Sequence, residues 1–160
     1  MATTQPQANR RSPTTGAQHH RTLDSTSIRT MKRYALDIGR ILLAIIFLGS
    51  AATKIADPAG TQAYMAAFGL PMTGPLLVGA IVTEGIGGLA LLLGFRTRAM
   101  ALLLIGFLAS ATLIFHTQLS DQQQLLHFLK NVAIMGGLVL VMAEGGGPVS
   151  LDRLRAAGGR

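Results

Sequence analysis

The chain has 160 residues, a net charge of +7 and 13% charged side chains, against roughly 25% in an ordinary soluble domain, and its mean hydropathy is +0.44. That balance points to a chain embedded in lipid rather than dissolved in water. With no cysteine, disulfides, thiolate metal sites and CxxC redox chemistry carried by this chain are excluded.

Residues 1–30 are rich in Thr, Gln, Ser, Pro and Arg without apolar periodicity, the composition of a disordered, basic cytoplasmic tail. Arg10-Arg11-Ser12 is similar to a twin-arginine signal. The apolar run that follows begins too far downstream and runs too long for one, so the first span is expected to be an uncleaved signal anchor. Four apolar runs follow, Ile38–Ala56, Leu76–Phe95, Ala99–Phe115 and Leu125–Met142. Each is about long enough to cross ~30 Å of hydrocarbon at ~1.5 Å per helical residue. The expected fold is all-α: a transmembrane four-helix bundle over residues 34–152, then a basic cytoplasmic tail over 153–160.

The connections carry their own signals. Asp57-Pro58 is an N-cap followed by proline at the first helical position. Thr61 to Phe68 are good helix formers and Gly69 suits a C-terminal stop. Tyr64, Met65 and Phe68 share a side, which predicts a short interfacial helix in the first outer loop. Asp121 with Gln124 forms a capping box opening the fourth span. Thr97 is the expected cap of the third span, and Ser150 that of a final short cytoplasmic helix. Arg and Lys flank the first span's start, occupy Arg96 and Arg98, and follow the fourth span, whereas Asp57–Pro75 and His116–Gln124 contain none. This asymmetry predicts both termini on the cytoplasmic side and gives the positive charge a membrane reading instead of a nucleic-acid one.

Phe47-Leu48-Gly49-Ser50-Ala51 echoes Phe107-Leu108-Ala109-Ser110-Ala111, and Gly87-Gly88-Leu89 echoes Gly136-Gly137-Leu138. Two parallel hairpins related by an axis along the membrane normal are one reading of this pattern. Small residues also let helices approach closely in lipid, and Gly79, Thr83 and Gly87 lie on one face as packing candidates.

Glu84 is the focus of the chain. It lies about 12 Å below the outer end of the second span at the helical rise. A charge there costs roughly 2.5–3.5 kcal/mol, while each apolar side chain contributes about −0.5 kcal/mol; with eleven Leu, Ile, Val and Phe residues in the run, the span inserts with the acid in place. Candidate partners converge from the outer half. Lys54 ends span one on the face of Ser50 and Asp57, and His116 ends span three. His127, Lys130 and Asn131 share a face of span four. A structural Glu84–Lys130 ion pair and a ligand, quinone or proton site built on that pair are both open. Arg40 lies near the cytoplasmic side of span one; it and Lys54 also fit simple snorkelling to the headgroups. No His or acid pair has metal-ligand spacing, so no metal is expected, and a haem between His116 and His127 is not favoured.

Several stretches together resemble the DoxX family of small four-helix membrane proteins. They are Gly39-Arg40-Ile41-Leu42-Leu43-Ala44, Lys54-Ile55-Ala56-Asp57-Pro58 and Phe68-Gly69-Leu70-Pro71. Glu84 with Gly87-Gly88-Leu89, and Phe128-Leu129-Lys130-Asn131, complete the pattern. The resemblance covers residues 34 to 152. It implies a four-span protein of the plasma (inner) membrane, in a family named after a subunit associated with quinone-linked thiosulfate oxidation. Related proteins couple to thiol redox partners; here the thiols would have to belong to another chain. Arg40, Lys54, Glu84, Lys130 and Asn131 are the polar positions that carry over.

The resulting expectation is a non-catalytic or accessory membrane subunit linked to quinone-associated redox or stress response. A quinone is the candidate cofactor, and the lipid bilayer, redox proteins and a second copy of the chain are the candidate partners. A small-solute or proton carrier using Glu84 and a membrane scaffold are the alternatives.

Overall fold

The computed structural model describes residues 15–159, with side chains described at 28, 30, 31 and from 34 onward. The expected tail over 1–30 therefore falls partly outside the described residues, and α1 (Thr15–Ala56) begins inside that segment. The chain divides into residues 1–32 and 33–160. The described residues of the first are helical; everything below concerns the second.

Five further helices follow: α2 (Pro58–Ala67), α3 (Thr73–Leu93), α4 (Thr97–Phe115), α5 (Gln122–Glu144) and α6 (Leu151–Gly158). Tyr34–Ala56, α3, α4 and α5 are each long and apolar enough to cross a membrane. Apolar side chains remain exposed around them. On α3, Val78, Val82, Ile86, Leu89 and Leu93 are all about half exposed and recur at helical spacing along one stripe. In water such a stripe would be a liability; against acyl chains it is the expected outer surface.

The spans alternate in direction. Glycines set how closely they approach, because no hydrophobic force pulls helices together in lipid. A Cβ on Gly88 would lie 3.0 Å from Leu48 Cγ on α1, and one on Gly87 would lie 2.8 Å from Leu104 Cδ2 on α4. Gly137 does the same on α5, facing Leu43. Gly79, expected to pack, has nothing within 4 Å of its Cβ position; it shares a face with Gly87 but lies two turns nearer the helix end, where the bundle opens.

The main buried cluster lies in one half of the bundle. Ala44, Phe47, Leu91, Ala101, Leu104, Ile134, Leu138 and Val141 form a buried cluster. They come from the C-terminal halves of α3 and α5, the N-terminal half of α4 and the middle of the Tyr34–Ala56 span. The opposite half, bearing the α1–α2–α3 and α4–α5 connections, is hollow.

Side chains close the solid end. Arg40, 2% exposed, donates from Nη1 to the carbonyls of Leu91 and Leu92 and from Nη2 to Val149 O at 2.8 Å. It also pairs with Asp37 at 3.2 Å, and Asp37 accepts from Val149 N. Arg40 therefore does not snorkel. It adds to the Gly94 N–H on Leu91 O and supplies Leu92 O at the α3 C-terminus, and it ties the turn before α6 to α1. The expected Thr97 cap is also corrected. Arg96 takes a left-handed conformation, φ 44°, so α4 begins without a local side-chain cap. Asp152 of α6 accepts instead from Arg96 N at 2.7 Å, Thr97 N at 2.8 Å and Thr97 Oγ1 at 2.8 Å.

Most other local expectations hold. Asp57 caps α2 through Gly60 N at 2.9 Å, and Gly69 at φ +75° follows that helix. Asp121 caps α5 through Gln124 N, but the expected capping box does not close, because Asp121 N donates to Gln118 O and the Gln124 side chain turns to His116 instead; Ser150 caps α6 through Arg153 N.

Candidate functional site

The hollow half forms a half-open cavity of about 760 Å³, inside the usual ~300–1,000 Å³ of small-molecule pockets. α1 contributes Ser50, Thr53 and Lys54, and α2 with its N-cap contributes Asp57, Thr61, Tyr64 and Met65. Ala80 and Glu84 come from α3, Phe107, Ser110, Ala111 and Phe115 from α4, and Lys130 and Asn131 from α5. Its inner end meets the packed core, where Leu91, Leu104 and Leu138 have no exposure at all.

Glu84, 5% exposed, is neutralised by Lys54. The Nζ stands 2.9 Å from Oε2 and 3.1 Å from Oε1. Ser50 completes a triangle, donating to Glu84 Oε1 at 3.0 Å and accepting from Lys54 Nζ at 2.7 Å. Ser50 and Lys54 are one helical turn apart, so both reach the acid from α1. Oε2 lies near the ammonium's charge but receives no well-directed hydrogen bond. The expected Glu84–Lys130 pair is thus replaced by Glu84–Lys54. Lys130 is exposed and its Nζ approaches His127 Nδ1 at 3.3 Å. Sequence spacing placed both lysines at the right depth, but which one meets the acid depends on the rotation of α1 and α5 about their axes.

Asn131 is buried and donates from Nδ2 to Thr112 Oγ1 at 2.9 Å. Thr112 in turn donates to Leu108 O at 2.6 Å, which fixes the amide's orientation by committing that hydroxyl's only proton. His116 Nδ1 is 2.8 Å from Gln124 Oε1, and its ring stacks on His127 with centroids 5.1 Å apart. His116 lines the cavity with Lys130, and His127 touches both. Tyr64 of α2 and Phe68 at its C-cap pack on Phe115 of α4, with centroids 5.4 and 5.2 Å apart. α2 is therefore an aromatic cover over the cavity. Arg40, at the solid end, is not part of this site.

Ser50 and Thr112 were not among the expected site residues. Ser50 carried a signal: it precedes Lys54 by four and so shares its face. Thr112 carried none, because its role depends on the amide across the helix interface.

A family model described as DoxX matches residues 35–117. The inner membrane protein YqjF of Escherichia coli (strain K12) is 42% identical over 117 residues, covering 73% of this chain and 88% of that protein. The inner membrane protein YphA of the same organism is 34% identical over 121 residues, covering 72% and 86% respectively. No solved structure matches.

Proposed function

The chain belongs to the DoxX family, and from that premise we propose that it is a multi-pass inner membrane protein that holds a small amphiphilic molecule of the quinone type in its hollow half. In this reading it is a binding or accessory subunit of a membrane redox system and not an enzyme on its own. The names of its relatives support the inner membrane. The clustering of Arg and Lys at the solid end and the chain termini supports cytoplasmic termini, which turns the cavity toward the periplasmic leaflet.

The observation that carries the proposal is a cavity of ligand size with two contrasting walls. One wall is the Ser50–Lys54–Glu84 triangle. The other is the aromatic face of Tyr64 and Phe115. A flat ring with polar oxygens and an apolar tail matches both. A carrier or channel is less well supported. The core below the cavity is close-packed, and among the described residues no chain of polar side chains leads from Glu84 past Phe47, Leu91 and Leu138.

Saturable binding of decylubiquinone to the full chain in lipid nanodiscs, followed by quenching of a ring-bearing fluorescent analogue, tests the proposal. Tyr64→Ala should weaken binding about fivefold to tenfold, the loss of roughly one aromatic contact. Binding that never saturates, or that Tyr64→Ala and Glu84→Gln both leave unchanged, refutes it.

A further inference from the structure

The hydrogen-bonding inventory of the cavity is lopsided. Resting on the quinone-type reading, we infer that the site prefers a hydrogen-bond-donating headgroup, the reduced aromatic diol, over the oxidised dione. Each hydroxyl in the wall has one proton and two lone pairs, and at four of them that proton is already committed inside the protein. Thr53 Oγ1 donates to Ser50 O at 2.8 Å and Thr61 Oγ1 to Asp57 O at 2.9 Å. Ser110 Oγ donates to Gly106 O at 2.9 Å, and Ser50 donates to Glu84. Such back-bonding to the preceding helical turn is a common habit of Ser and Thr. Its result here is that Thr53, Thr61 and Ser110 offer a ligand lone pairs only.

The charged groups lean the same way. Lys54 has three protons, and Ser50 Oγ, the Glu84 carboxylate and Ser50 O stand within 2.7, 2.9 and 3.5 Å of its nitrogen. The ammonium that would best greet a carbonyl is therefore already occupied. Asp57 spends Oδ1 on Gly60 N and keeps a second carboxylate oxygen at the cavity wall. The donors left over are the Tyr64 hydroxyl, the second amide proton of Asn131 and the Lys130 ammonium. Lys130 shares itself with His127. A dione brings two acceptors to this wall and finds few donors. A diol brings two donors and finds oxygens on α1, α2 and α4.

The test compares decylubiquinone with its two-electron-reduced form, each titrated anaerobically into the full chain in nanodiscs. The reduced form should bind at least tenfold more tightly. By linkage that raises the midpoint potential of the bound couple by about 30 mV per tenfold for two electrons. Thr53→Val and Ser110→Ala remove acceptors at exposed positions, where folding is least at risk, and together should cut the preference at least threefold. Equal affinity for the two forms, or tighter dione binding, overturns this inference and leaves the proposed function standing. Failure of both forms to bind overturns the two together.

Discussion

Replacing Lys54 with methionine isolates the contact on which the hollow half depends. The substitution keeps most of the side-chain length and removes the charge. Glu84 would then retain one hydrogen bond, from Ser50 at 3.0 Å, with Oε2 left buried and facing no cation. Breaking a buried pair from one side costs roughly 3–5 kcal/mol. Lys54's side chain is 20% exposed against 7% for Glu84, so some screening enters, and the lower end, about 3 kcal/mol, is expected. Removing both charges, Lys54→Met with Glu84→Leu, leaves no stranded ion and should cost within about 1 kcal/mol of wild type. The double-mutant cycle therefore predicts a coupling of at least about 2 kcal/mol. The assay is reversible unfolding in mixed detergent micelles, read by circular dichroism. Lys130→Met serves as the control and should stay within about 0.5 kcal/mol, as for an exposed position. Additive losses for Lys54 and Glu84, or coupling of Glu84 to Lys130 in place of Lys54, would refute the pairing.

Arg40→Met should destabilise the bundle by about 3 kcal/mol in the same unfolding assay, because it strands the Asp37 carboxylate and removes the donor to Leu92 O; Arg40→Lys should not rescue it, since one ammonium cannot match the guanidinium fork. Gly88→Ala should cost about 1–3 kcal/mol by overpacking against Leu48 and Phe47, whereas Gly79→Ala, with open space around it, should be neutral or better by melting temperature. At Asp152, burial raises the carboxyl's pKa, but hydrogen bonds from the Thr97 backbone and hydroxyl and from Arg96 N, with the nearby Arg155 charge, outweigh it and hold the net value below the usual one. A depressed folded-state pKa contributes stability that is present above the unfolded value and is lost as pH falls through the folded one. Tryptic cutting after Arg153 and Arg155 should therefore stay constant from neutral pH down to the ordinary carboxylate range. Below it, cutting after an acid pulse should increase, and Asp152→Asn should cut readily at every pH.

Much of the framework was legible in the sequence because it rests on local rules. Apolar run length marked the spans, and Asp57, Asp121 and Ser150 announced helix starts within their own turns. Glu84 stood out because an acid is costly at that depth. What stayed hidden depends on rotation and on contacts distant in sequence. Lys54 and Lys130 are equally plausible partners until α1 and α5 are oriented, and only the folded chain turns the first inward. Thr97 has the residue type of a cap, yet the oxygen comes from Asp152, 55 residues later. Arg40 lies near the end of a span, as a snorkelling residue would, but faces inward, where the α3 C-terminal carbonyls, Val149 O and Asp37 take its protons. Gly79 and Gly87 share one face, and only the second meets a neighbour, because the bundle is solid at one end and open at the other.

That asymmetry is open to direct measurement in a chain without native thiols. Ala111→Cys, in the cavity wall, and Leu138→Cys, in the core, can each be exposed in intact spheroplasts to a membrane-impermeant maleimide. The cavity position should label from the periplasmic side and lose that labelling when decylubiquinol is present, while the core position stays unlabelled until the protein is unfolded. Labelling of the core position at a similar rate, or protection of the cavity position from the outside, would contradict a bundle hollowed toward the outer leaflet.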